Sequence, residues 1–423
     1  MSGLKHDVRM RGFATRVDVE VVEAFLADRV RLLPGESVAL LDSVGRVLAE
    51  SVKAQVDVPG FARSAMDGYA IRGEESFGAS AYDAIRLEIV GSSLPGAPYP
   101  AEVAHGQAVR IMTGAPLPEG ADAVIKAEVC EEQDGFVSIS EAVAPRKNVG
   151  VIGEDISRGD APLAAGRRIR PQDAGLLASI GRAAVVCVRR PRIRLIVTGN
   201  ELLPAGSVPT GSQIVDSNSV VLRGLIARDG GVSLPFEILP DDPERIRDAM
   251  AGDDADVVLV SGGTSVGLED HAPRLLSELG ELTYHGISMR PSSPSGIGRI
   301  GDRFVFLLPG NPVSCLAAYE FFAGPTIRSL GGRARRWPHR RSMMSLARKI
   351  VSEVGRTDYV RVSSEGGRAT PIATAGASIL SSTVRATGAV VVPRELEGMP
   401  AGETVEVLLY DDELADDFGT GST

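Results

Sequence analysis

Val257-Val-Leu-Val260 is a continuous apolar run, mostly β-branched, closed at once by Ser261-Gly262-Gly263. A run this short with no polar alternation predicts a strand covered on both faces. Beyond the small-residue turn of 261–267 come Glu269 and Asp270, and then apolar positions at Leu275, Leu276 and Leu279 with helical spacing. The same rhythm recurs on either side. A strand over 193–197 runs into Thr198-Gly-Asn-Glu201, and Asp216 and Ser217 open a helix through Val221 and Leu225 towards Gly230. A strand over 232–239 precedes a helix that starts at Asp242-Pro243 and passes through Ile246 and Met250. The strand over 304–308 ends in Pro309-Gly310-Asn311-Pro312, with Asn311 suited to an N-cap and Pro312 to the first helical position. Repeated strand–helix units predict a doubly wound, mostly parallel α/β domain. Ligands in such sheets sit beyond the carboxyl ends of the strands, where all three small-residue turns fall.

The pattern differs elsewhere. Asp18 can cap a helix carrying Val22, Phe25 and Leu26; residues 38–41 read as a strand, and Asp42 as the cap of a second helix with Val44, Val47 and Leu48. Turns at Pro59-Gly60 and Asp67-Gly68 bracket a loop that holds Arg63, Ser64 and Asp67. Period-two alternation at 86–90 and 108–112, and a short run at 123–125, predict a small all-β module, with Thr113 at a turn. An acidic-glycine cluster, Gly153-Glu-Asp155, precedes a return strand over 165–169 and a helix from Pro171 to the stop at Gly181. Five arginines within 331–341 read as a solvated connector. Strands over 359–362, 388–392 and 403–409 then predict a small C-terminal β-barrel or sandwich, the barrel being the reading taken, followed from Asp411 by an acidic tail without order. The division expected is 17–50 with 146–170 as a linker and dimerisation domain, 51–145 as a small β-rich domain, 171–332 as the α/β domain, and 342–412 as the barrel.

Composition narrows the function classes. A chain of 423 residues exceeds one ordinary core. Its charge, 45 − 55 = −10, argues against sequence-independent binding of nucleic acid, so an anionic ligand has to be held by local donors. Cys130, Cys187 and Cys315 are far apart, with no paired spacing for a disulfide framework or zinc. His271 and His285 have no second ligand at a metal-binding spacing and read as surface residues. No secretory signal or membrane-length apolar run is visible, and the expectation is a cytoplasmic protein.

The chemistry centres on the strand ends. Glycines at 262 and 263 let backbone N–H groups converge on an anion, and Asp270 can hold a cation that a phosphate also touches. A plain strand–helix turn with solvated carboxylates is the other reading.

These segments resemble the molybdopterin molybdenumtransferase family, MoeA and the gephyrin E domain. The resemblance is carried by Val58-Pro-Gly-Phe-Ala-Arg-Ser-Ala-Met-Asp-Gly-Tyr-Ala70, Arg110-Ile-Met-Thr-Gly-Ala115 with Gly120-Ala-Asp122, Gly153-Glu-Asp-Ile156, Ser261-Gly-Gly-Thr-Ser-Val-Gly267 and Leu308-Pro-Gly-Asn-Pro-Val-Ser314. It implies the last step of molybdenum-cofactor synthesis: adenylylated molybdopterin is bound, molybdate is inserted at the dithiolene, and AMP leaves with Mg²⁺ assisting. It implies a homodimer in which the Met66-Asp67-Gly68 loop of one subunit completes the site of the other. Possible partners are a molybdopterin adenylyltransferase and molybdoenzyme acceptors. By position, Asp67, Thr113, Glu201, Asp216, Asp270 and Arg290 match catalytic residues, with Glu201, Asp216 and Asp270 as metal ligands. Ser261, Gly262, Gly263, Thr264, Ser265, Gly267, Pro309, Gly310, Asn311, Ser293, Arg356 and Ser378 match substrate-binding positions.

The chain departs from the family at two places. Met289-Arg-Pro-Ser-Ser-Pro294 stands where Met-Lys-Pro-Gly-Lys-Pro is usual, and Asn200 where Asp is usual. The expectation is that Arg290 is the main cationic contact to the oxyanion, with Ser292 and Ser293 as neutral donors. Two other functions stay open, an adenylyltransferase-like enzyme and a non-catalytic scaffold of the same fold.

Overall fold

The apolar runs of the strand–helix region serve two cores at once. Successive side chains on a strand point to opposite faces. Val257 and Leu259 enter one core with Ile193, Leu195, Val197, Phe304, Phe306 and Leu308. Val258 and Val260 enter the other with Ile196, Val305 and Leu307. All five residues of Val257–Ser261 are buried. The first face is covered by Asn218–Arg228 and Pro312–Ala318, the second by Pro243–Ala251 and Ala272–Leu279. This is the doubly wound arrangement expected.

The computed structural model describes residues 13, 15–265, 270–373 and 376–410. They form two compact units, one of Met1–Glu36 with Val188–Thr423, the other of Ser37–Cys187. In the first unit, Val257–Ser261 pairs in parallel with Arg192–Thr198 on one side and Arg303–Leu308 on the other, and Val232–Ser233 and Ile238–Leu239 pair in parallel with Arg192–Thr198. Two antiparallel strands, Gly296–Ile300 and Glu281–His285, extend the far edge. The expected single strand over 232–239 is thus two short pieces. Pro235 lies between them and has no N–H to offer a ladder.

The C-terminal part of the same unit is a closed barrel. Thr357–Glu365, Arg368–Ala373, Arg340–Leu346, Thr404–Leu409 and Gly388–Val392 follow one another, and the last pairs back with the first. Its core holds Leu346, Ile350, Val360, Val362, Val390 and Val407. A two-residue strand from the α/β region, Met289–Arg290, lies parallel to Thr357–Glu365, with Arg290 opposite Asp358. The arginine-rich 331–341 segment, expected as a solvated connector, is exposed at Arg336, Arg340 and Arg341 but packed at Arg333, Arg335 and Trp337. Trp337 meets Phe321 edge-on at 4.9 Å, Arg335 donates to the Glu23 carbonyl at 2.9 Å, and Arg333 to the Arg228 carbonyl at 2.9 Å.

The second unit carries a six-stranded sheet in the order Ala123–Lys126, Gly68–Ile71, Gln107–Ile111, Ile85–Ser93, Phe136–Ile139, Cys130–Gln133. Gly68 is required there, because a Cβ would lie 1.9 Å from the Ile125 carbonyl oxygen. A second layer packs Leu48, Val52, Ile156, Leu163 and Val185 against the helix Pro171–Ser179, which the sequence grouped with the α/β domain. The expected helix after Asp42 is absent. A 3₁₀ turn, Leu40–Asp42, is capped by Ser43, Gly45 follows at φ +81°, and Val47 and Leu48 make isolated bridges with Arg168 and Cys187. The expected strand over 165–169 is likewise reduced to isolated bridges around Gly166, at φ +81°. No helix among the described residues is long and apolar enough to cross a membrane.

Candidate active site

Three parallel strands end at one edge, and the turns that follow them wall a cleft of about 530 Å³. Glu201, Asp216, Ser261, Gly263, Thr264, Ser265, Asp270, Pro309, Gly310, Asn311 and Ser378 all line it. Gly262 sits behind the wall. Its φ is +95°, and a Cβ there would meet the Thr198 carbonyl oxygen at 2.3 Å. Gly267 lies outside the described residues, as do Glu269 and the tail from Asp411.

Polar side chains hold the turns together. The Asn218 amide, at the start of its helix, donates to the Ser261 hydroxyl at 3.0 Å and to the Gly310 carbonyl at 2.8 Å. It thereby joins the ends of two neighbouring strands. Thr264 Oγ1 donates to the Leu308 carbonyl at 3.0 Å. The Thr264 carbonyl accepts from His285 Nε2 at 3.0 Å. His285 also packs edge-on against Phe13, and burial pushes its pKa down, so it is a neutral structural donor and not the surface residue expected. Asp216 Oδ1 accepts from the Ser219 N–H at 3.1 Å, which aims the carboxylate at the helix start. Asn200 exchanges two bonds with Asp241, donating its N–H to the carboxylate at 3.1 Å and accepting the Asp241 N–H at 3.2 Å. These bonds pin the loop that carries Glu201, and neither uses the amide NH₂ that distinguishes Asn from Asp. Thr198 is buried in the cleft wall with its hydroxyl unpaired.

Glu201, Asp216 and Asp270 share the cleft. Among the described residues, however, no three His, Cys, Asp or Glu are grouped closely enough to hold a metal alone. Mg²⁺ usually takes one or two carboxylates and completes its shell with phosphate oxygens and water. The donor set fits a cation that arrives with a phosphorylated substrate, and does not fit an all-protein cage.

Pro294, Pro309 and Asn311 are walls shared with a second cavity of about 360 Å³, lined by Arg290, Ser293, Ser314, Tyr359 and Arg361. Arg290 and Ser293 in turn border a third, of about 210 Å³, with Arg16 and Arg356. Arg290 pairs with Asp358 and donates to the Val351 carbonyl at 3.2 Å. Arg356 donates to the other Asp358 oxygen at 3.0 Å and to Glu353 at 2.8 Å. Ser293 Oγ is buried without a partner. Ser292 is not the neutral donor expected. It is 3% exposed at φ +91°, and its hydroxyl is occupied by the Ser314 carbonyl and Ser295 Oγ, both at 2.8 Å. Arg361 is buried, and desolvation lowers its pKa.

Asp67 and Thr113 belong to the other unit and meet each other there. The Thr113 N–H and hydroxyl donate to Asp67 Oδ1 at 2.7 and 2.8 Å. The N–H bond, then the hydroxyl, holds this exposed carboxyl below its ordinary range. Sequence reading missed Asn218, Asp358, Arg361 and Arg16. A usable signal existed for two of them, since Asp358 and Arg361 are charges set in the apolar strand Thr357–Glu365.

Family models match nearly the whole chain in order. The MoeA N-terminal region (domain I and II) covers 17–181, a probable molybdopterin binding domain 194–329, and the MoeA C-terminal region (domain IV) 344–410. The molybdopterin molybdenumtransferase of Haemophilus influenzae is 33% identical over 383 residues, 88% of this chain and 93% of that protein. That of Bacillus subtilis is 33% identical over 392 residues, covering 89% and 90%. The crystal structure of the molybdopterin biosynthesis MoeA protein from Pyrococcus horikosii superimposes with a TM-score of 0.83 at 32% identity, covering 94% of this chain and all of that one. With matching models along its length and relatives of this identity and coverage, the chain belongs to the MoeA family of molybdopterin molybdenumtransferases.

Proposed function

We propose that the chain inserts molybdate into adenylylated molybdopterin and releases AMP, completing the molybdenum cofactor in the cytoplasm. The observation that carries this reading is the continuity of cavities. A strand-end cleft with a glycine turn and three carboxylates shares walls with a cavity bearing Arg290 and Ser293, and through those two residues it adjoins the smaller cavity that Arg16 and Arg356 also border. A substrate with a phosphoanhydride at one end and a dithiolene that must meet an oxyanion needs those two environments side by side.

In this reading the 261–265 turn presents backbone N–H groups to the phosphates. Glu201 and Asp270 orient the water that attacks the anhydride, while Asp216, Glu201 and Asp270 offer oxygens to Mg²⁺. When bound, Mg²⁺ neutralises the phosphates and eases departure of AMP. Arg290 and Arg356 hold the oxyanion as charged donors, and the unpaired Ser293 hydroxyl adds a neutral one. Two Mo–S bonds then form to the dithiolene, and the displaced oxygen leaves as water with the thiol protons. A second copy of the chain brings the Asp67–Thr113 pair to the cleft, so the working form is a homodimer.

The test follows AMP and cofactor formation from adenylylated molybdopterin, with and without molybdate. Consumption of substrate that depends on molybdate is expected. A folded protein that consumes none would be a scaffold, and molybdopterin adenylylation from ATP would favour the adenylyltransferase reading. Mixing Asp67→Ala and Asp270→Ala subunits should restore part of the activity, and no recovery would remove the shared site.

A further inference from the structure

Two of the guanidiniums bordering the oxyanion cavity, those of Arg290 and Arg356, share one buried carboxylate, and Arg356 also pairs with Glu353. Asp358 is 1% exposed, at the start of the barrel strand Thr357–Glu365. One of its oxygens pairs with Arg290, which comes from the α/β region; the other accepts from Arg356 Nε at 3.0 Å. The two arginines reach it from different segments, joined by the parallel pairing that sets Arg290 opposite Asp358. Both also line the cavity of about 210 Å³ with Arg16 and Ser293, a volume suited to a small tetrahedral anion.

We infer that Asp358 is a positioning and specificity-determining residue for the oxyanion, and this rests on the oxyanion reading of that cavity. It does two things through the arginines. It locks their planes, so that each offers N–H groups in a set direction. It also cancels one of the positive charges around the cavity. A pocket with several uncompensated guanidiniums would grip any dianion, sulfate and phosphate included. A shared carboxylate lowers that unselective attraction and leaves recognition to directed hydrogen bonds.

The sign of the charge effect separates this role from simple support. Asp358→Asn keeps the shape of the side chain, removes the negative charge and turns an NH₂ towards one guanidinium. Coulomb attraction to a dianion then rises, and equilibrium binding of molybdate should tighten by about tenfold at low ionic strength. The gain should shrink as salt is added. Turnover should fall, because the donors are no longer held, so kcat and KM for molybdate drop together. Discrimination between molybdate and sulfate should narrow. Asp358→Glu restores the charge and should return molybdate affinity to near the wild-type value. Melting temperature is measured for each variant.

The experiment titrates molybdate, tungstate and sulfate by calorimetry against wild type, Asp358→Asn, Asp358→Glu, Arg290→Ala and Arg356→Ala, with cofactor formation measured in parallel. Tighter binding with lower kcat in Asp358→Asn is the supporting result. Weaker binding in that variant, or binding and selectivity that follow melting temperature alone, overturns the inference. The underlying reading fails separately, if Arg290→Ala and Arg356→Ala leave molybdate binding unchanged. If those two weaken binding and Asp358→Asn changes nothing, only the role of Asp358 is lost.

Discussion

Gly262→Ala is a stringent test of how the cleft is built. At φ +95° an L side chain is strained by roughly 1–2 kcal/mol. The new Cβ would also stand 2.3 Å from the Thr198 carbonyl oxygen, where ordinary contact begins at 3.4 Å. The wall must therefore give by about 3.4 − 2.3 = 1.1 Å, and the obstacle is backbone, which cannot swing aside. Thr198 leads directly into Glu201, so the displacement is delivered to a carboxylate of the cleft. Misplacement of about 1 Å can lower turnover on the order of 10²-fold. The melting temperature should fall by a few degrees, at roughly 2–4 °C per kcal/mol. Gly310→Ala is the matched control. Its φ is not left-handed, and the nearest atom to a Cβ is Gly262 Cα at 3.7 Å, an ordinary contact. That variant should melt with wild type. The assay is AMP release from adenylylated molybdopterin, with thermal melts on the same samples. A Gly262→Ala protein with wild-type melting and turnover would refute the reasoning.

Asn218→Ala leaves the buried Ser261 hydroxyl and the part-buried Gly310 carbonyl without their donor and should cost about 1–3 kcal/mol in urea unfolding, with a raised KM for substrate; unchanged values would mean that the amide is not a tie between the turns. Burial pushes the Glu320 carboxyl up, but His339 and Arg228 outweigh it and hold it at about 2 against an ordinary 4.5. With the folded pKa depressed, its stabilising contribution is present above 4.5 and is lost as pH falls towards 2. The urea midpoint should drop over that window in wild type and stay flatter in Glu320→Gln, and equal slopes would contradict this. Burial pushes the Cys315 thiol to about 12, so iodoacetamide at pH 8 should modify it only after unfolding. Modification of native protein, seen by mass spectrometry, would show that the site opens.

The α/β fold was legible because strands such as 257–261 are covered on both faces and carry no polar interruption. The strand ends were legible because small residues cluster there. What escaped was set by local backbone and distant partners. Val44, Val47 and Leu48 have helical spacing, but Gly45 at positive φ breaks the turn, and the two buried residues make sheet-like bridges instead. The arginines of 331–341 look solvated in sequence, because nothing local reveals Phe321 or the Glu23 carbonyl that receive Trp337 and Arg335. At the site, Ser292 and Ser293 are adjacent and alike in composition, yet one hydroxyl is consumed by Ser314 and Ser295 while the other is left unpaired. Asp358 was passed over because a lone acid in a strand shows no spacing until its two arginines are brought to it.

The parallel pairing of Met289–Arg290 with Thr357–Glu365 also sets a timetable for synthesis. The partner of Arg290 lies 68 residues further along the chain. Domains tend to fold in the order in which they emerge from the ribosome. A nascent chain can thus shape its strand-end cleft, except for the wall at Ser378, while the arginine is still without its carboxylate, and the barrel closes only after Thr404–Leu409 has been made. Until that moment a precursor would find a place for its phosphates and no organised grip for an oxyanion. Late closure of the barrel therefore acts as proofreading by assembly, in which only finished chains offer both environments at once.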